Sequence, residues 1–502
     1  MTWREYHEAT KHSIESLRLT GHVLDWANMP DPFRHYEGVP VLDLPADPPS
    51  PEIAALDVLQ GTAGTTSVGD GAAFLSQLLF YSAAISATKR VPSTGHKYAL
   101  RVNPSSGNLH PTEFHFLTRG LKGWPDGWYH YDPSRHMAEQ RGHGNFDMKL
   151  ASGSAPIVFV LTSIVWREAW KYGERAYRYC LHDIGHAWQA LALSGRAIGC
   201  DSFAIGHFFD DEVIQLCRPN MDEQPMLIVG LHGKSIPVRE AYTGKTVWFG
   251  GQANQLSKET IAHPLIESIH LATKQSRSGN SDISTAESAP GGSGEIKLPS
   301  PASSTRGFGD VARMRRSALD FLGGRQSMSL TQLSAILTGT AQPLSADFAD
   351  RHFIQLYLYA HRVFGLQPGI YRFWPDRTEL EQLKGGDQRV AAAGLSLGQG
   401  LAGNACVAFS MIGDLDFAAR TYGDRGYRYV HFEAGAIGHR LYLAAEALGL
   451  GATGIGAFYD DEVHRYLKLG PTQGQVVYHF AIGYPIPDPR LSASTVPHES
   501  TC

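Results

Sequence analysis

Tyr172-Gly-Glu-Arg-Ala-Tyr-Arg-Tyr179 occurs a second time in this 502-residue chain, as Tyr422-Gly-Asp-Arg-Gly-Tyr-Arg-Tyr429. Further on, Ile205-Gly-His-Phe-Phe-Asp-Asp-Glu-Val213 answers to Ile455-Gly-Ala-Phe-Tyr-Asp-Asp-Glu-Val463 at the same offset of 250, and about 18 of the 42 aligned positions are identical. Ungapped agreement over that length marks an internal duplication. The final strands are expected to keep the register, with Gly233 and Pro237 opposite Gly483 and Pro487. Between the motifs each copy carries a helical pattern. In the second, Ile437, Leu441, Ala444, Ala445 and Leu448 fall on one face. The equivalent face of the first (Ala187, Leu191, Ser194, Gly195, Ile198) is small enough to admit another helix closely. The plainer reading of the same spacing is an ordinary amphipathic core helix.

The length calls for two or three domains. Hydrophobic residues make up 43% and charged residues 19%, the balance of a globular protein, and a net charge of −5 gives no electrostatic argument for nucleic acid or an anionic membrane. No apolar run approaches the roughly 20 residues of a membrane helix. The start, Met1-Thr-Trp-Arg-Glu-Tyr6, lacks the pattern of a secretory signal. Cys180, Cys200, Cys217, Cys406 and Cys502 are odd in number and widely spaced, which argues against a disulfide framework or zinc site and for a reducing, cytoplasmic setting.

Seven prolines between Pro30 and Pro51 confine helix to the first 27 or so residues and make the rest of that segment an extended arm. Residues 74–86 read as a helix, and 113–118, 127–131 and 156–164 as strands. From 272 to 305 the composition turns to Ser, Gly, Ala and Pro, the mark of a disordered linker. The expected division is an arm at 1–50, a first domain at 51–255, a linker at 256–310 and a second domain at 311–502.

The segment with most chemistry is Arg101-Val-Asn-Pro-Ser-Ser-Gly-Asn-Leu-His-Pro111. Its Pro, Ser, Gly and Asn make a turn rich in N–H groups, hydroxyls and an amide, suited to an anion or polar heterocycle. Taken alone, such a stretch is more often an ordinary turn. It resembles the flavin-binding loop of the nitroreductase superfamily in its SagB-type azoline dehydrogenase form, and Tyr6-His-Glu-Ala-Thr-Lys-His12 is similar to the usual start of those proteins. The resemblance covers both copies. It implies an α+β fold: two nitroreductase-like domains, each an antiparallel-dominated sheet flanked by helices, paired within one chain as a pseudo-dimer.

It further implies FMN at the interface, with each site drawing on both copies. Ala312-Arg-Met-Arg-Arg-Ser317 is similar to the family's phosphate-binding segment, where Arg315, Arg316 and Ser317 would grip the phosphate. Aligning Leu330-Thr-Gln-Leu333 with Leu75-Ser-Gln-Leu78 sets Gln60-Gly-Thr62 opposite those residues, so the first copy has lost them. Conversely, matching Gly365–Tyr371 to Gly123–Tyr129 sets Ala346-Asp-Phe-Ala-Asp350 opposite Pro104, Ser105, Ser106, Gly107 and Asn108, so the second copy has lost the loop. One working site and one degenerate site are expected.

Ile455, Gly456 and Ala457 would contact the flavin, with Arg490 as a further phosphate cation. The Asp460-Asp-Glu-Val463 helix start is read as caps and dipole partners. Lys171-Tyr172 resembles the Lys-Tyr pair of azoline dehydrogenases, a candidate for proton removal while a hydride leaves. The plainer alternative is a solvated lysine beside a core aromatic. His110 lies within the loop, while His182, His186, His207, His431 and His439 lack metal spacing and read as structural.

The implied activity is FMN-dependent oxidation of peptide azolines to azoles, with a modified-peptide or small-molecule substrate and a cyclodehydratase-type partner. The alternatives are an NAD(P)H-dependent nitro or quinone reductase and a non-catalytic peptide-binding scaffold.

Overall fold

A computed structural model describes residues 1–19, 23–92, 95–146, 155–276, 292–470 and 472–493. The first copy builds its sheet from Met137–His143, Gly127–Asp132, Thr112–Thr118, Ile157–Ser163, Gln224–His232 and Asp201–Ile205, in that spatial order and antiparallel throughout. The second repeats the order with Glu379–Gly385, Gly369–Trp374, Ile354–Ala360, Val407–Gly413, Gln475–Gly483 and Gly451–Ile455. Ile157–Ser163 and Val407–Gly413 are apolar runs buried along their whole length, as strands covered on both faces must be. This is the expected α+β pair.

The helices Ala176–Ala197 and Gly426–Ala447 pack against each other at the centre of the molecule. They cross at Gly185 and Gly435. A Cβ on Gly185 would lie 2.2 Å from the Phe432 carbonyl oxygen, and one on Gly435 2.1 Å from that of His182. The crossing therefore lies N-terminal to the expected Ser194 and Gly195, which face their own domain: Ser194 Oγ donates to the Leu78 carbonyl, and Gly195 abuts Leu231 and Cys200.

The register also departs from expectation. Ile157 pairs with Leu231, whereas Val407 pairs with Ile482. The last strands are thus offset by one more residue than the motifs before them, and Gly233 and Pro237 do not stand opposite Gly483 and Pro487. The loop after the Asp460–Leu467 helix is one residue longer than its counterpart after Asp210–Cys217, and it absorbs the change.

Asp460 and Asp210 do not act as caps, since the N-cap positions Tyr459 and Phe209 make no side-chain cap. Instead Asp460 receives Arg175 and Arg178 from the first copy, and Asp210 receives Arg425 and Arg428 from the second. Each aspartate also closes a chain segment: His12 N–H donates to Asp460 and Gln275 N–H to Asp210, both at 2.9 Å.

That symmetry exposes a further repeat. The helix Trp3–Ala9 with Thr10, Lys11 and His12 corresponds to Pro264–Thr273 with Lys274 and Gln275. Arg178 donates to Thr10 Oγ1 as Arg428 does to Thr273 Oγ1. Within the stretch expected to be linker, residues 264–273 are therefore an interface helix, Ile296–Lys297 joins the second sheet, and Phe308–Met314 is a buried helix. Residues 277–291 lie outside the described residues.

The helix expected at 74–86 spans Gly71–Phe80, capped by Asp70, and the chain then turns into a hairpin of Ile85–Arg90 and Lys97–Arg101. Leu491–Ala493 from the far end of the chain adds a third strand. The arm is pinned rather than loose: Tyr36–Glu37 pairs with Gln252–Ala253, and Val41–Asp43 with Met137–Glu139.

Candidate functional site

A cavity of about 430 Å³ opens where the two copies meet. The first copy contributes Pro104, Ser105, Ser106, Asn108, Tyr172 and Tyr179, and the second contributes Arg315, Arg316, Ser317, Ile455, Gly456 and Ala457. The residues expected from the sequence thus converge, with two exceptions. Lys171 does not line the cavity itself, although its Nζ lies 3.1 Å from where a Gly107 Cβ would sit. Arg490 is absent from the wall: its guanidinium is taken by Asp488 at 2.7 and 2.9 Å. The hairpin brings a different cation to the wall: Lys89 lines the cavity, and it too meets Asp488, at 3.2 Å, which lines the cavity beside it.

Positive charge gathers at one end. Arg315, the C-cap of the Phe308–Met314 helix, is 4% exposed; among the described residues its side chain donates to the Val102 and Arg101 carbonyls and its Nη1 has no partner. Arg316 reaches the carbonyls of Arg313, Arg315 and Ser86. Among the described residues neither meets a carboxylate at ion-pair distance, and the nearby Glu446 is engaged by Arg306 at 2.8 Å. Burial, with Arg315 and Arg313 alongside, brings Arg316 down to about 9. With Asp488 on the same wall turned to Lys89, the buried Arg315 and the half-buried Arg316 are left without a counter-charge and form a site for an anion.

The loop is held open from behind. Asn108 and His110 adopt positive φ, which Asn tolerates well. The Asn108 side chain is spent on the Ala99 carbonyl of the hairpin (3.0 Å) and the His110 ring (3.0 Å). Ser105 Oγ accepts from His110 N–H at 2.8 Å. Burial and Arg101 hold His110 well below its ordinary value, so the ring is neutral. Across the cavity, Tyr442 OH pairs with Ser317 Oγ and accepts from Gly454 N–H, both at 2.8 Å. The Gly456 carbonyl accepts from Tyr179 OH at 3.1 Å, while no protein acceptor meets the Gly456 and Ala457 N–H groups among the described residues.

The equivalent place in the other half is filled by the chain itself. Asp347 accepts from the N–H groups of Gly206 (2.8 Å) and His207 (3.1 Å), the counterparts of Gly456 and Ala457. Phe348 lies flat on Tyr429 at 4.3 Å, where Tyr429 is the counterpart of Tyr179. Gln60, the C-cap of Ala55–Leu59, stands where Arg315 caps its helix, and Thr421 replaces Lys171.

Of the two candidates for proton transfer, burial and the nearby Glu168 push Tyr172 far above its ordinary value, so its hydroxyl donates rather than accepts. Sequence reading missed Glu168 and Asp183 beneath the loop; each lies in the copy that kept the loop, but neither belongs to a motif. Among the described residues one other group of ligand type converges, His35, Asp132 and Glu139, and Arg135 already spans both carboxylates.

The sequence matches the Nitroreductase family over residues 82–234 and 325–484, well over half the chain. A putative nitroreductase, MJ1384 of Methanocaldococcus jannaschii, is 33% identical over 116 residues, a stretch that is 23% of this chain and 59% of that relative. The structure is similar to that of a putative nitroreductase from Anabaena variabilis, with a TM-score of 0.74, 26% identity, and coverage of 96% of this chain and 99% of the other. A chain of the E. coli microcin synthetase McbBCD complex overlaps 41% of this one at 18% identity and a TM-score of 0.29, a likeness too slight to carry any argument. With the same sheet order in both copies and one cavity built from the two, this chain belongs to the nitroreductase family.

Proposed function

We propose that the cavity holds one FMN per chain and that the protein oxidises azoline rings in a peptide to azoles, as a SagB-type dehydrogenase. The observation that carries the cofactor reading is the pair of the buried Arg315 and the half-buried Arg316, neither paired with a carboxylate among the described residues, facing the 104–108 loop across the halves. The donor set fits that group. Arg315, Arg316 and Ser317, with Lys89 beside them, would hold the phosphate. The 104–106 loop and the free N–H groups of Gly456 and Ala457 would hold the ring.

Bound FMN would supply the two-electron acceptor for the hydride leaving the azoline. Tyr172 stays protonated and would donate to a ring heteroatom, and Lys171 is its proposed partner in removal of the ring proton. Both residues lie beside Gly107 of the loop, and the second copy has no lysine there. Oxygen is the expected final acceptor. A cyclodehydratase-type partner would supply the azoline. The four described cysteines are buried free thiols, which supports a cytoplasmic setting, and no described helix is long and apolar enough to cross a membrane.

The test begins with flavin released from the purified chain, expected near one per chain and lost in Arg315→Ala/Arg316→Ala. Two per chain would mean that Asp347 and Phe348 do not block the second site. Azoline-peptide oxidation without NAD(P)H supports the dehydrogenase. Steady NAD(P)H consumption with a nitro or quinone acceptor, and no azoline turnover, replaces it with the reductase. Absence of flavin binding leaves the peptide scaffold.

A further inference from the structure

Two carboxyls lie buried beneath the 104–108 loop, and the reading above leaves them unused. Glu168, on the Val165–Tyr172 helix, is fully buried. Asp183, on the Ala176–Ala197 helix, is 2% exposed and touches the cavity. Asp183 is well supplied with donors: Ser106 N–H reaches both of its oxygens at 3.1 Å, and Ser106 Oγ reaches one at 3.1 Å. Glu168 is not. Among the described residues no N–H group or cation meets either of its oxygens in hydrogen-bond geometry. The groups that act on it electrostatically are the Asp183 carboxyl, which raises it, and Lys171 and the Ser105 hydroxyl, which lower it.

A buried carboxylate without a donor is costly to keep charged, and two acceptors that face each other are satisfied only when one carries a proton. The pair is also confined to the copy that kept the loop. The counterpart of Glu168 is Ala418, and the counterpart of Asp183, Glu433, is bound by the N–H groups of Phe353 and Ile354.

We propose that Glu168 and Asp183 share one proton, Glu168 donating and Asp183 accepting, and that this pair is the positioning device that fixes the Ser105 and Ser106 turn against the cofactor. The inference deepens the flavin reading and rests on it. Burial pushes Glu168 well above its ordinary value, with Asp183 adding to the rise, and pushes Asp183 up to about 7 against the pull of its serine donors. The other groups facing the pair are Lys171 and Tyr172 from the first helix, Cys180 from the second, and Tyr478 from the opposite copy. As pH falls through that range, Asp183 gains a proton and loses its charge-assisted grip on Ser106, so the loop loosens.

The experiment is FMN titration of the apoprotein by fluorescence quenching from pH 5.5 to 8.5, for the wild type, Glu168→Gln and Asp183→Asn. Gln copies the protonated acid as a donor, so Glu168→Gln is expected to bind within about twofold of the wild type and to keep the pH step. Asp183→Asn removes the charged acceptor and is expected to bind about 10- to 100-fold more weakly at pH 8, with the step gone. The ionisation of the FMN phosphate is common to all three proteins and cancels in the comparison. Equal losses in both variants, or an Asp183→Asn protein with wild-type affinity and step, overturn the proposal. A wild type that binds no FMN at any pH overturns the cofactor reading beneath it, and the proposal with it.

Discussion

Asp460 stands between two guanidiniums of the other copy, Arg175 at 3.0 Å and Arg178 at 2.9 Å, all three buried. Removing one charge from such a group leaves the others unpaired at low dielectric, so Asp460→Asn is expected to cost ~3–5 kcal/mol. Asp461 is 64% exposed and meets Lys11, so Asp461→Asn should stay within ~0.5 kcal/mol. Urea unfolding of the two variants checks the contrast. Asp-Asp-Glu-Val reads as a helix start in isolation. The signal that it does more is its partnership: Arg-x-x-Arg and Asp-Asp-Glu-Val recur together in both copies, as charges that pair across a duplication must. Arg490 fails for the converse reason: Asp488, two residues earlier, holds it outside the cavity wall, whereas Lys89, which meets the same carboxylate at 3.2 Å, lines that wall. Lys89→Ala is accordingly expected to weaken FMN binding about tenfold, while Arg490→Ala leaves it within twofold, by the same fluorescence titration.

The two long helices are legible from their 3.6-residue spacing, but the place where they cross is not, because spacing gives a face and not a height along it. Gly185 and Gly435 hold the crossing since only hydrogen fits between backbones that close. Gly185→Ala and Gly435→Ala force a Cβ against a carbonyl oxygen that cannot swing aside, so each should destabilise by ~1–3 kcal/mol or more. Gly195→Ala meets Leu231 Cδ2 at 3.0 Å, the end of a flexible side chain, and gains helix propensity of up to ~1 kcal/mol, so it should be near neutral. Thermal unfolding of the three variants separates the crossing from the face that the spacing favours. The hairpin was hidden in another way. In residues 85–101 the Pro92-Ser-Thr-Gly95 segment marks a turn, but the basic residues on either side of it mask the two strands; the clearer signal is the alignment offset, which falls from 255 at the helix to 242 at the loop. The missing residues of the second copy are those that build the hairpin on the first, and with it the wall that carries Lys89.

Seen whole, the molecule is a dimer interface made intramolecular, and its axis is lined with uncharged histidines. His182 stacks on Tyr478 at 4.3 Å and lies 5.1 Å from His431, while His186 and His439 face each other at 6.2 Å. Neither ring nitrogen of His182 has a partner among the described residues. Burial holds His186 and His431 down to about 3, and holds His182 and His439 well below their ordinary value, so each is neutral in the folded protein and titrates near 6.5 when unfolded. Below pH 6.5 the unfolded chain therefore binds protons that the native chain refuses, and stability falls as pH falls. At pH 5 each such histidine costs ~2 kcal/mol. Glu168 and Asp183 work in the opposite direction over the same range but are fewer. Carboxylates held low, such as Glu113 at about 2, keep their contribution until the pH is far more acidic. His130, raised to about 9 by Glu113 and Glu139 against its burial, contributes fully below 6.5 and loses its share only as pH rises through 9. Urea midpoints measured from pH 7 to 4.5 should thus drop steeply below 6.5, and His182→Phe with His431→Phe should flatten the slope. A midpoint unchanged down to pH 5 would mean that these rings find proton acceptors at the axis, and that the two copies are joined by charge where the packing shows neutral aromatic contact.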